Sequence, residues 1–242
     1  MNILILGDSW ANGAYDLTNC QEPTHPGLEY YLSAESGHTV TNLAVRAGGN
    51  YLSLTLLQLF LEKHPAPDYI IFMQASFMRE YIDYQDGGRH VKLEWLKESN
   101  LNWNALEIEE IIKPNLEKTC IWLKSFNIPT IVIGGNTKVH PIMSKYFDGI
   151  HTSATELVDN TFKDSFFDSA HELELFNEVF FKKTKMSTKE KYRLAIKELQ
   201  NFKQKYDYWH SDLSSEYINE EHGTTKLHYK LYQTLLDLNI IK

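Results

Sequence analysis

Cysteine is nearly absent: Cys20 and Cys120 are the two present in 242 residues, and they stand far apart. No C-x-x-C string or closely spaced even set of thiols occurs, which argues against a disulfide framework and a thiolate metal site and favours a reducing compartment. Long apolar runs are missing too. None approaches the ~20 residues that span a bilayer. The N-terminal run Ile3–Leu6 is cut short by Gly7 and follows no basic region, so it does not read as a secretory signal. The expectation is a soluble, cytoplasmic protein without membrane contact. Positive charge is in deficit, with 24 Lys and Arg against 32 Asp and Glu. A net charge of −8 speaks against attraction to a nucleic-acid backbone. Neither a G-x-x-x-x-G-K-[ST] phosphate loop nor an H-E-x-x-H metal string occurs.

What the chain does have is core material: 43% hydrophobic residues and 13% aromatics, enough for one domain over residues 1–242. Residues 1–136 alternate two patterns. Asn2–Leu6, with four consecutive apolar residues, predicts a buried strand, and Thr39–Ala44, Asp68–Met73 and residues 129–135 read as further strands. Helical spacing covers Gly27–Ser36, Asn50–Lys63 and Asn104–Phe126, with Pro114 expected to kink or bound the last. Strands alternating with helices predict an α/β protein, a central parallel sheet flanked by helices. Two stretches break the pattern and read as insertions, about 79–103 and 137–187. A charged helix over Thr188–Lys205 and a closing helix opened by His222 and running to Leu238 follow. A fifth strand is hard to find, and Tyr206–Trp209 is a weak candidate.

The first strand runs into Gly7-Asp8-Ser9-Trp10-Ala11-Asn12-Gly13. Ligands in parallel α/β sheets sit beyond the carboxyl ends of the strands, where Ser9 falls. A serine nucleophile needs a base within reach and donors for the developing oxyanion. Asp and Ser are also favoured in turns and at helix N-caps, so a structural corner is the alternative reading of these residues.

The seven-residue string resembles the G-D-S-x-x-x-G opening of the SGNH/GDSL hydrolases, of which this chain looks like a divergent member. The resemblance implies a three-layer, flavodoxin-like fold, esterase, lipase or carbohydrate-deacetylase chemistry, and no metal or organic cofactor. It implies Ser9 as the nucleophile, its backbone N–H serving the oxyanion. The loop Asn42–Asn50 resembles the family's second block and implies a further N–H from Gly48, with Asn50 also suited to cap the next helix. Arg46 in that loop either faces an anionic substrate or is solvated. The third block departs from the family: Gln74 stands for its glycine and Ser76 for the asparagine that donates to the oxyanion.

Ten histidines compete for the role of base. The family's C-terminal D-x-x-H points to His222, with His228 six residues on and Asn219 in place of the acid. Literal D-x-x-H strings at Asp148–His151 and Asp168–His171 are alternatives, although an inserted segment would have no sheet edge to bring it to Ser9. An Asn can fix an imidazole tautomer without offsetting its charge, which Glu220, Glu221 or Asp212 could do. The adjacent pairs Glu109–Glu110 and Glu220–Glu221 do not face one another on a helix and read as solvated. Tyr81, Tyr84, Trp95 and Trp103 could form a sugar-binding rim or the insertion's own core. The substrate implied is a small-molecule or glycan ester. A binding module whose catalysis is lost, or a flavodoxin-like nucleotide binder, are the rival readings.

Overall fold

The computed structural model describes residues 1–15, 22–46, 48–75, 81–84, 89–92, 105–135, 139–150, 154, 218–219 and 222–241. Strand β1 (Asn2–Leu6) is followed by the single-turn helix α1 (Ser9–Asn12). Helix α2 (Leu28–Tyr30) widens into a π-helical turn, Tyr31–Glu35, before β2 (Thr39–Asn42). Helix α3 (Asn50–Leu61) leads to β3 (Tyr69–Gln74). A hairpin of β4 (Tyr81–Tyr84) and β5 (Arg89–Lys92) lies outside the main sheet, within 79–103. Helix α4 (Ala105–Ser125) then precedes β6 (Thr130–Gly134), and β7 (Gly149–Ile150) comes after a 3-10 turn at Met143–Lys145. The short strands β8 (Ile218–Asn219) and β9 (His222–Gly223) pair with each other and lead into α5 (Thr225–Asp237).

The main sheet has the order β2-β1-β3-β6-β7 and every pair in it is parallel. That is the flavodoxin-like order, in which the chain leaves β1 towards β2 and returns on the other side to β3. The apolar runs of β1, β3 and β6 are continuous because these inner strands are covered on both faces, whereas the edge strand β2 is only partly covered. Ile3, Ile5, Ile71, Met73, Ile131 and Ile133 pack on one side with Leu28 of α2, with Leu32 of the π-helical turn and with Leu227, Leu231 and Leu235 of α5. Leu4, Leu6, Ile70, Phe72 and Val132 pack on the other with Leu54 and Leu57 of α3 and with Leu116, Cys120 and Leu123 of α4. Alternate residues of β1 thus feed two cores, and each fully buried Leu or Ile contributes about 1.5–3 kcal/mol. The result is a three-layer α/β architecture.

Several expectations are corrected. The fifth strand is Gly149–Ile150, pairing with Val132 and Ile133, inside a stretch read as an insertion; residues 206–209 lie outside the described residues. Of the two roles expected for Pro114, kink or boundary, the boundary is ruled out, because Pro114 sits inside α4. His222 does not open the closing helix. It belongs to β9, and α5 begins at Thr225. Asn50 does not cap α3 either, because Gly49 occupies the N-cap position.

Candidate active site

The small residues of the corner follow from how close β1 and β3 lie at its end. Gly7 has φ +146°, and a Cβ there would come within 2.7 Å of the Met73 carbonyl and 2.8 Å of the Ala11 Cβ. Only glycine fits this approach and this backbone conformation. Asp8 then caps α1, its carboxylate accepting the Trp10 N–H at 3.0 Å. Ser9 is therefore the first residue of the helix, and it is 1% exposed. Trp10 and Ala11 are buried in the core beneath it.

Side-chain amides lace this corner to the loop after β2. The Asn12 amide donates to the Ala44 carbonyl at 2.7 Å. Asn42 donates to the Ala11 carbonyl and accepts from the Ala44 N–H, both at 3.0 Å. The Val45 N–H reaches the Gly7 carbonyl at 3.1 Å. The Gly48 N–H, expected to serve an oxyanion, instead donates to the Val45 carbonyl at 2.8 Å and closes its own turn. Arg46 is exposed, and its charge is felt at the Tyr15 phenol.

Two buried side chains fix the carboxyl end of β3. Asn50 donates to the Ala75 carbonyl at 3.2 Å and accepts the Ala75 N–H at 2.9 Å. Gln74 accepts the His140 N–H on its Oε1 at 2.7 Å, tying β3 to the segment after β6. The sequence marked Gln74 only as a departure from a motif, yet its side chain joins residues 66 positions apart.

The C-terminal hairpin meets the corner directly. Helix α1 packs against β9, and the Tyr15 N–H donates to the Gly223 carbonyl at 3.2 Å. The Tyr15 ring stacks on the His222 imidazole with centroids 4.1 Å apart and planes inclined at 28°. Within the hairpin Asn219 and His222 are register partners. No local pattern had singled out Tyr15, because its contact is made across the fold. Burial pushes the Tyr15 phenol above its ordinary value, opposed by Arg46 and reinforced by Asp8. His228, fully buried, is held down to about 4 by desolvation, which keeps it neutral. It is a structural histidine rather than a second base.

Ser76, His151, His171, Asp212, Glu220 and Glu221 lie outside the described residues. The topological objection to the Asp148 string is nevertheless overturned, since Gly149–Ile150 forms a parallel strand and carries the chain towards the sheet's carboxyl edge. Among the described residues no cluster of three or more His, Cys, Asp or Glu could hold a metal ion, and no helix is long and apolar enough to cross a membrane.

No protein-family model and no curated protein matches the chain. Among solved structures it is similar to a Bacillus subtilis protein at 15% identity and TM-score 0.44, covering 99% of this chain and 57% of that one. The psychrotrophic esterase EstA from Pseudoalteromonas sp. shares 10% identity at TM-score 0.44, covering 99% of each chain. The acetylxylan esterase Axe2 from Geobacillus stearothermophilus shares 14% at TM-score 0.38, covering 100% of this chain and 94% of that one. At such identities and TM-scores these likenesses carry no weight of their own. The resemblance to the SGNH/GDSL hydrolases stands on the chain's own features: the Gly7-Asp8-Ser9 corner after β1, the loop after β2, and the β2-β1-β3-β6-β7 order of the parallel sheet.

Proposed function

We propose that this chain is a serine hydrolase of carboxylic esters, of the SGNH/GDSL type, acting on a small-molecule or glycan ester. Ser9 attacks the ester carbonyl while His222 accepts the hydroxyl proton and then returns it to the leaving alcohol. Water, deprotonated by the same imidazole, releases the acyl group from Ser9. The Ser9 backbone N–H is the oxyanion donor in this scheme. Asn219, the register partner of His222, is the residue proposed to orient the imidazole.

The observation that carries the reading is the packing of α1, which begins with Ser9, against β9, which begins with His222. This meeting lies at the end of β1, beside the switch point between β1 and β3 where ligands of such sheets bind. Ser9 is buried, so an acyl group must displace what covers it, and acetate is the natural first substrate. The test compares wild type with Ser9→Ala on p-nitrophenyl acetate and on acetylated sugars, together with fluorophosphonate labelling. Turnover and labelling confined to the protein that keeps Ser9 support the proposal. Equal turnover in both, with Ser9 unlabelled, removes it.

A binding module with its catalysis lost is the second reading. It is favoured by the burial of Ser9 and by the Gly48 N–H being engaged at Val45. A blank ester screen with a specific hit on a glycan array would establish it over the first.

A further inference from the structure

Tyr15 follows the serine corner six residues after Ser9, and it touches the candidate base in two ways. Its N–H holds the Gly223 carbonyl, next in chain to His222, and its ring lies nearly parallel to the imidazole at 4.1 Å. Tyr15 is 2% exposed, and its hydroxyl is buried with no hydrogen-bond partner among the described residues. The contact with the imidazole is made by the ring face and not by the hydroxyl. What tyrosine and phenylalanine share is a flat, electron-rich face.

We infer that Tyr15 is the positioning residue of the base: its ring is the platform that sets the plane of the His222 imidazole relative to the helix bearing Ser9. This rests on His222 being the base. An imidazole turns about two soft torsions, and a flat ring packed on its face restrains its tilt. A ring stacked at 4.1 Å removes that freedom on one face. The same face attracts the imidazolium that forms as the Ser9 proton is taken, as cations are drawn to aromatic faces. Backbone and ring act together, since the Tyr15–Gly223 hydrogen bond keeps the platform and β9 in step.

The test uses the full chain with Tyr15→Phe and Tyr15→Leu, read by kcat and KM on p-nitrophenyl acetate beside Ser9→Ala and His222→Ala. Tyr15→Phe should keep kcat within about twofold, and Tyr15→Leu should lower it about tenfold or more with KM nearly unchanged, as expected when a proton acceptor is misaligned. Proton NMR gives a readout that does not need turnover. The His222 Cε1 proton, assigned by its loss in His222→Ala, should be shifted upfield by the stacked ring in wild type and Tyr15→Phe. It should move downfield in Tyr15→Leu. If Tyr15→Leu fails to fold, Tyr15→Met serves the same comparison. Turnover that requires Ser9 and His222 but is indifferent to loss of the ring overturns the positioning role alone. So does equal damage from Tyr15→Phe and Tyr15→Leu. Absence of any Ser9-dependent turnover overturns the hydrolase reading and this role with it.

Discussion

The Nε2 of His228 lies 3.0 Å from the carbonyl oxygen of Gly13, joining residues 215 positions apart. On the other side of the ring Nδ1 accepts the Leu28 N–H at 3.1 Å. A backbone N–H can only donate, so Nδ1 is bare and Nε2 carries the proton. The neutral imidazole thus bolts α5 to α2 and to the end of the serine corner. Protonating Nδ1 would set two donors against each other.

Acid should therefore destabilise the protein through this residue. His228 has a folded value of about 4 against an ordinary 6.5, so the unfolded chain binds the proton more readily. The stability it provides is complete above pH 6.5 and is lost as pH falls towards 4, by about 3 kcal/mol in all. His38, also lowered by burial, acts in the same direction. Urea unfolding at pH 7, 5.5 and 4.5 should show the decline. His228→Gln should flatten much of it while lowering stability at pH 7 by about 2–4 kcal/mol through lost hydrogen bonds and packing. An unchanged slope in that variant would assign the acid sensitivity elsewhere.

How much of this was legible depended on the range of the contact. Strands such as β1 and β3 announce themselves because burial on both faces demands an unbroken apolar run. Strand β7 has two residues, Gly149–Ile150, too few to leave any periodicity, so the sequence offers only Tyr206–Trp209 as a weak candidate for the fifth strand. The Gly7-Asp8-Ser9 corner was readable because its steric demands are local. Asn50 was readable as polar at a helix start, but its true partner is Ala75, chosen by the fold. Tyr15 left no signal at all, since nothing near it in sequence hints at a ring stacked on His222.

Gly7→Ala tests the corner's geometry. The added methyl would meet the Met73 carbonyl and the Ala11 methyl inside ordinary contact distance, at a φ that L residues avoid. A loss of about 2–4 kcal/mol is expected in urea titration, combining backbone strain with overpacking. Fluorophosphonate labelling of Ser9 should fall even at temperatures where the variant is folded, because Ser9 is two residues from the displaced backbone.

Cys120 should be silent towards thiol reagents. It sits in the core between the sheet and α4, and burial, with Glu117 adding, pushes its thiol up to about 12. The thiolate is the reactive form, so almost none exists at pH 8. In Cys20→Ser, which leaves Cys120 as the single thiol, DTNB should react negligibly with the native protein and stoichiometrically in denaturing urea. Rapid native reaction would show that the face of the sheet covered by α4 opens readily.

Asn50→Leu addresses the clamp on the carboxyl end of β3. The amide satisfies both the N–H and the carbonyl of Ala75, in a place where Asn50 is 0% exposed and no water competes. Leucine keeps the number and branching of the side-chain heavy atoms and removes both bonds, leaving two buried backbone groups unpaired at about 1–3 kcal/mol each. A stability loss of about 2–6 kcal/mol follows, read by thermal or urea unfolding. Asn50→Asp separates the two bonds. It keeps an acceptor for the Ala75 N–H but loses the donor to the Ala75 carbonyl and buries a carboxyl. Its deficit should therefore shrink as pH is lowered and the carboxyl takes up a proton, becoming a donor again, whereas the Asn50→Leu deficit should not. Equal pH dependence in the two variants would mean that Ala75 finds other partners when the amide is gone.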